Sequence, residues 1–159
     1  MLIPVYFLIG GYGRGERAQA AMKFLLYSLL GGLLMLGAVI GIFIIAVNQV
    51  GPTFDVATLS HLVIDKPTQN WLFLGFFAAF AIKAPLWPLH TWLPSAAKSA
   101  TPATSVLLLG VLDKVGTYGM IRFCLTLFPD ASKTFTPAII VLSLISILYG
   151  AFQIGRAHV

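Results

Sequence analysis

Apolar residues in this chain run in long unbroken blocks. They do not form the one-sided stripe of a soluble helix or the alternation of a half-buried strand. Uninterrupted hydrophobicity predicts a partial helix over 1–12, a full span near 24–47, another from about 69 to 93, and two more near 102–127 and 135–152. From Phe24 to Phe54 no residue is charged, which exceeds the roughly 20 apolar residues that cross a bilayer core. Backbone polar groups in lipid must be satisfied within the segment, and nothing alternates with period two as a membrane barrel strand would. The expected fold is therefore all-α: a polytopic integral membrane helical bundle of about four full transmembrane helices plus a partial N-terminal one, with one helix broken by proline.

Composition agrees: 58% of residues are hydrophobic and only 9% charged, too few polar groups to cover a globular surface. The net charge of +5 could suit nucleic acid, but the ten basic residues are scattered and form no patch, so nucleic acid is set aside as a partner. The single Cys124 lies in an apolar segment and reads as packing. Met1 to Tyr12 is too short to span and lacks the features of a signal peptide. The first loop carries Arg14, Arg17 and Lys23, and the second has Lys66 against Asp55 and Asp65, so the first is expected to be cytoplasmic. Threading onward puts the 94–101 loop inside and the 128–134 loop outside. Thr101 before Pro102 predicts an N-cap with proline in the first turn, and Phe128-Pro129-Asp130 and Thr136-Pro137 mark the next helix end and start.

One stretch conflicts with its surroundings. "AIKAPLWPLHTWLP", residues 81–94, places a lysine, a histidine and three prolines within a greasy run. Lys83 follows Gln69 by fourteen residues, well inside the apolar segment, where a charge costs several kcal/mol unless it faces protein or water. Snorkelling to an interface is the structural alternative, although apolar residues continue through Pro88. Pro85 and Pro88 cannot donate to the helix ladder and crowd the carbonyls of Ala81 and Ala84, so a break just after the lysine is expected. At membrane depth such a break is tolerated against protein or a hydrated cavity, as in transporters; a packing kink is the plainer alternative. His90, between two of the prolines, can both accept and donate a proton. It can equally be structural, since Trp87 and Trp92 beside it look like an interfacial aromatic belt.

Lys114 is a second lysine in an apolar run, twelve residues beyond Pro102. A lysine amine is a compact proton carrier whose charge responds to desolvation. Asp113 is its neighbour, but successive helical residues point about 100° apart, so each is expected to find another partner in a polar interior. A structural Asp113–Lys114 pair is the alternative. Gly110, Gly116 and Gly119, like Gly31, Gly32, Gly37 and Gly41, read as close-packing positions, and Arg122 as a headgroup contact. The chain has no phosphate loop, metal-ligating cluster or Rossmann fingerprint, so no cofactor and no redox site is expected on it.

"AIKAPLWPLHTWLP" and "LDKVGTYGMIRF", in this order and spacing, resemble the antiporter-like membrane subunits of proton-pumping NADH-quinone oxidoreductase, respiratory complex I, a family shared with Mrp-type cation/proton antiporters. The resemblance runs from "LIPVYFLIG" to "SILYGAF", and "ATPATSVLLLGVLDK" is similar to the actinobacterial form. It implies a proton-translocating subunit in which Lys83 and Lys114 occupy the positions of the family's two proton-carrying lysines, with His90 helping to link water chains between them. It further implies NADH, FMN, iron-sulfur clusters and quinone on other subunits, membrane-arm subunits and the lipid bilayer as partners, and the plasma membrane of a bacterium as location. A Mrp-type antiporter subunit or a hydrogenase membrane-arm subunit is the alternative.

Three expectations concern what the chain lacks or adds. The acidic partner of the family's first lysine would lie immediately before "MLIP". The family's usual aspartate after "TWLP" is Ser95 here, and a nearby acidic residue is Ser99. Residues 1–153 are thus read as part of an antiporter-like proton-translocating domain. The tail 154–159, "IGRAHV", matches one frame of a sequencing adapter and is set apart as non-native.

Overall fold

The computed structural model describes the backbone of residues 2–156 and the side chains of 2–153, so the tail set apart at 154–159 lies outside the described side chains. Among the described residues there are helices and no strands. Helix α1 (Leu2–Tyr12) turns sharply into α2 (Arg17–Gln49). The turn depends on Gly13, where a Cβ would strike the carbonyls of Ile9 and Ser99, and on Gly15 at φ 62°. A short α3 (Val56–Leu59) and then α4 (Lys66–Lys83) follow, each started by an aspartate. Asp65 accepts from the N–H and hydroxyl of Thr68, and Asp55 from those of Thr58, which hold the Asp55 carboxyl below the ordinary range.

After α4 the chain leaves the helix, makes a single 3₁₀ turn over Leu89–Thr91 and re-forms as α5 (Trp92–Ser99). The span expected over 69–93 is thus two helices with a gap, which is the proline break the sequence predicts. Helix α6 (Pro102–Leu127) starts at the foreseen cap, with Thr101 Oγ1 accepting from the Thr104 N–H at 3.4 Å. Two wide π-turns, Leu108–Leu112 and Met120–Cys124, interrupt it, and no pattern in the sequence signals them.

The last helix differs from expectation. A loop was expected over 128–134, but only Phe128 leaves the helical path, and α7 (Pro129–Arg156) contains Pro137 within it. Proline is at home in a first turn, so Pro129 starts this helix. Pro137 removes one ladder bond, while Thr136 and Thr134 hydroxyls bond the carbonyls of Ser132 and Asp130, and Ser132 Oγ bonds Cys124 across the junction. Helices α2, α6 and α7 are long and apolar enough to cross a membrane, and α4 with α5 supplies the broken fourth passage.

Packing falls into two clusters separated by the break. One joins the far half of α2 to α4, the end of α6 and the start of α7 through Phe73, Phe76, Phe80, Phe123 and Phe128. The other holds α1, the near half of α2, α5 and α6 together around Val5, Ile9, Phe24, Trp92 and Leu108. Small residues set the α2–α4 approach: a Cβ on Gly75 would lie 3.0 Å from Ala38, and one on Gly31 3.4 Å from the Ala79 carbonyl. Gly41 also meets α4, at Leu72, whereas Gly32 and Gly37 have nothing near them.

Candidate proton-path site

The break itself is held by specific partners. Pro85 leaves the Ala81 carbonyl without its normal i+4 donor, and the Leu86 N–H reaches it instead at 3.0 Å. Taking Leu86 away from Ile82 frees that carbonyl, and the indole N–H of Trp92 donates to it at 2.8 Å. Trp92 is 2% exposed and packs its ring at 5.5 Å from that of Phe24. The aromatic-belt reading of Trp92 is therefore corrected: it is an internal strut joining α5 to the cut end of α4. Further along, the Trp87 N–H donates to Ser146 Oγ of α7 at 2.9 Å, and Tyr27 of α2 shares a 2.8 Å hydrogen bond with Thr91.

Lys83 is the last residue of α4. Its amine points at α2, 3.4 Å from Ser28 Oγ and 6.0 Å from the centre of the Phe24 ring. Ser28 is 4% exposed. Among the described residues Lys83 has no carboxylate within ion-pair distance. Its depth follows from helix rise: at ~1.5 Å per residue, Ser28 lies about 16 Å beyond Arg17 along α2, and Lys83 about 26 Å beyond Lys66 along α4. Together these come to about 42 Å, so the amine lies near neither end of the α2–α4 pair.

Lys114 lies at the same level on α6, since a Cβ on Gly116 would sit 2.5 Å from the Ala84 nitrogen and 3.0 Å from the Lys83 carbonyl carbon. Its side chain, however, is 73% exposed on a face that no described element covers. Its amine meets Asp113 Oδ2 at 3.5 Å. The expectation that each of these neighbours would find another partner in a polar interior differs from the structure: the exposed Lys114 amine reaches back to the Asp113 carboxylate, whose own side chain is 25% exposed. His90 faces α7, with its ring edge-on to Tyr149 at 5.0 Å and its Nδ1 buried without a hydrogen-bond partner. It borders a cleft of about 200 Å³ shared with Pro85, Trp87, Ser146 and Tyr149. The break thus gathers Lys83, Lys114 and His90 around one point of the fold but aims them in different directions, with no hydrogen bond among them.

Sequence reasoning missed Ser28, Phe24 and Tyr149. A signal for Ser28 exists: in the run 24–47 the only hydroxyls are those of Tyr27 and Ser28, and both turn out to face the break.

Residues 1–154 match the family described as NADH:quinone oxidoreductase/Mrp antiporter, transmembrane. The chain belongs to this family. It is 54% identical over 158 residues to NADH-quinone oxidoreductase subunit M of Mycobacterium tuberculosis, covering 95% of this chain and 29% of the relative. It is 44% identical to subunit M of Pseudomonas aeruginosa, covering 95% and 31%. Among solved structures it superposes on a chain of respiratory complex I from Thermus thermophilus with bound NADH, with a TM-score of 0.84 and 37% identity over 94% of this chain and 32% of that one. The chain therefore spans about a third of the length of these NADH:quinone oxidoreductase/Mrp relatives, and like them it is a multi-pass membrane protein.

Proposed function

We propose that this chain is part of a proton-translocating membrane subunit of an NADH-quinone oxidoreductase in a bacterial plasma membrane. Quinone reduction on other subunits, which carry NADH, FMN and iron-sulfur clusters, drives it. The observation that carries the reading is Lys83: an amine deep in the span, at the cut end of α4, whose one hydrogen-bond partner among the described residues is a hydroxyl. A hydroxyl can serve an amine in either protonation state, because it donates as well as accepts. Water reaching the break would join Lys83 to His90, whose buried Nδ1 has unused hydrogen-bonding capacity, and to Lys114 at the same level.

The relationship to subunit M at 54% identity favours this reading over a Mrp-type antiporter or hydrogenase subunit. Helix α1 runs back along α2 so that Leu2 packs in the same cluster as Phe24 and Tyr27, which brings the start of α1 to the level of Lys83. An acidic partner preceding α1, as the family resemblance implies, would be well placed for the lysine. The test uses the full-length subunit in its complex, reconstituted in vesicles. Lys83→Ala is expected to abolish or strongly reduce quinone-linked proton uptake. Lys83→Arg impairs it as well, since arginine holds its proton too firmly. Normal pumping by both variants would overturn the assignment.

A further inference from the structure

At the end of the bundle where α1 turns into α2, a cavity of about 530 Å³ opens between that turn and the end of α5. Arg14, Lys23 and Lys98 line it, against a single carboxylate, Glu16. Ser95 and Ser99 add hydroxyls to its wall. The walls are fixed relative to one another, because the Arg14 N–H donates to the Ser99 carbonyl at 2.7 Å and Ser99 is 6% exposed. Among the described residues none of the three cations is in an ion pair.

A cavity with a net excess of two positive charges and neighbouring hydroxyls selects a phosphate-type anion. What lies beside it narrows the source. Lys23 is the last charge before the uncharged run of α2, and Leu26, Leu30 and Leu33 continue from it along one helix face, 57%, 53% and 58% exposed. Cationic pocket and apolar lane adjoin at the level where a headgroup meets its acyl chains. We propose that this cavity binds the phosphodiester headgroup of an anionic phospholipid, with its acyl chains lying along the exposed leucines of α2. Free phosphate would suit these charges equally well, so the experiment separates the two.

The full-length subunit in its complex would be placed in phosphatidylcholine nanodiscs containing a trace of photoactivatable phosphatidylglycerol or photoactivatable phosphatidylcholine. Labelled peptides are then mapped by mass spectrometry. Phosphatidylglycerol is expected to label residues 14–33 and 92–99 several-fold more than phosphatidylcholine, and 10 mM inorganic phosphate should leave that labelling unchanged. Lys98→Ala and Arg14→Ala should each lower it about fivefold, while Lys98→Arg retains it. Should the alanine variants fail to assemble, the wild-type label must still fall as salt rises to 0.5 M. Equal labelling by the two lipids, no response to salt, or alanine variants that label like wild type would overturn the proposal. Loss of the label to inorganic phosphate would overturn the lipid source in favour of the free anion.

Discussion

Gly116→Ala would probe the contact that holds α6 against the cut end of α4. The added methyl would sit 2.5 Å from the Ala84 nitrogen, 2.9 Å from its Cβ and 3.0 Å from the Lys83 carbonyl carbon. Ordinary contact needs about 3.4 Å or more, and two of these three atoms are backbone, so α6 must retreat by roughly 0.9 Å or the break must deform. Overpacking of this kind costs about 1–3 kcal/mol, from which the better helix propensity of alanine recovers up to ~1 kcal/mol. The net destabilisation is therefore small, about 0–2 kcal/mol. The functional effect should be larger, since displacements near 1 Å in a positioned site can lower rates by ~10²-fold. The assay is proton uptake per quinone reduced in vesicles holding the full-length subunit in its complex, with thermal stability measured in parallel. Gly110→Ala is the matched control on the same helix, because its methyl would meet nothing within 4 Å. Gly116→Ala should lower pumping at least tenfold with modest loss of stability, and Gly110→Ala should do neither. Equal pumping by the two variants would refute the role assigned to the α4–α6 contact.

Two other changes separate the strut from the lysine's partner. Trp92→Phe keeps the aromatic packing on Phe24 but strands the buried Ile82 carbonyl, at a cost of about 1–2 kcal/mol; thermal unfolding should shift accordingly, and faster amide exchange at Leu86 and Trp87 would place the loosening at the break. Ser28→Ala removes the hydroxyl 3.4 Å from Lys83 Nζ; because that bond is long, stability should change by less than about 1 kcal/mol while proton uptake falls several-fold, and Ser28→Thr should restore most of it.

Much of this architecture is legible in the chain because lipid is an unforgiving solvent. An uncharged run from Phe24 to Phe54 has only one stable form, and prolines at 85 and 88 directly after a lysine force the ladder open at that point. What closes the opening is not legible. Trp92 reaches back ten residues to Ile82, and nothing in "PLHTWLP" distinguishes an indole that caps a carbonyl from one that sits in a headgroup belt. Pro137 misled for a related reason: a proline inside a helix and one at its start look alike until the side-chain bonds of Thr134 and Thr136 are known. Lys114 shows a different limit. Its surroundings in sequence are as apolar as those of Lys83, yet burial depends on which helix covers that face, and pattern along one helix does not record its neighbours.

The most direct test of the account is whether Lys83 itself changes protonation during turnover. Isotope-edited infrared difference spectroscopy on the intact complex, with lysine labelled and Lys83→Arg as the reference that removes one lysine signal, would read this. If Lys83 carries the proton, an ammonium band appears and disappears with quinone reduction and is missing in the variant. A lysine difference spectrum identical with and without Lys83 would contradict it.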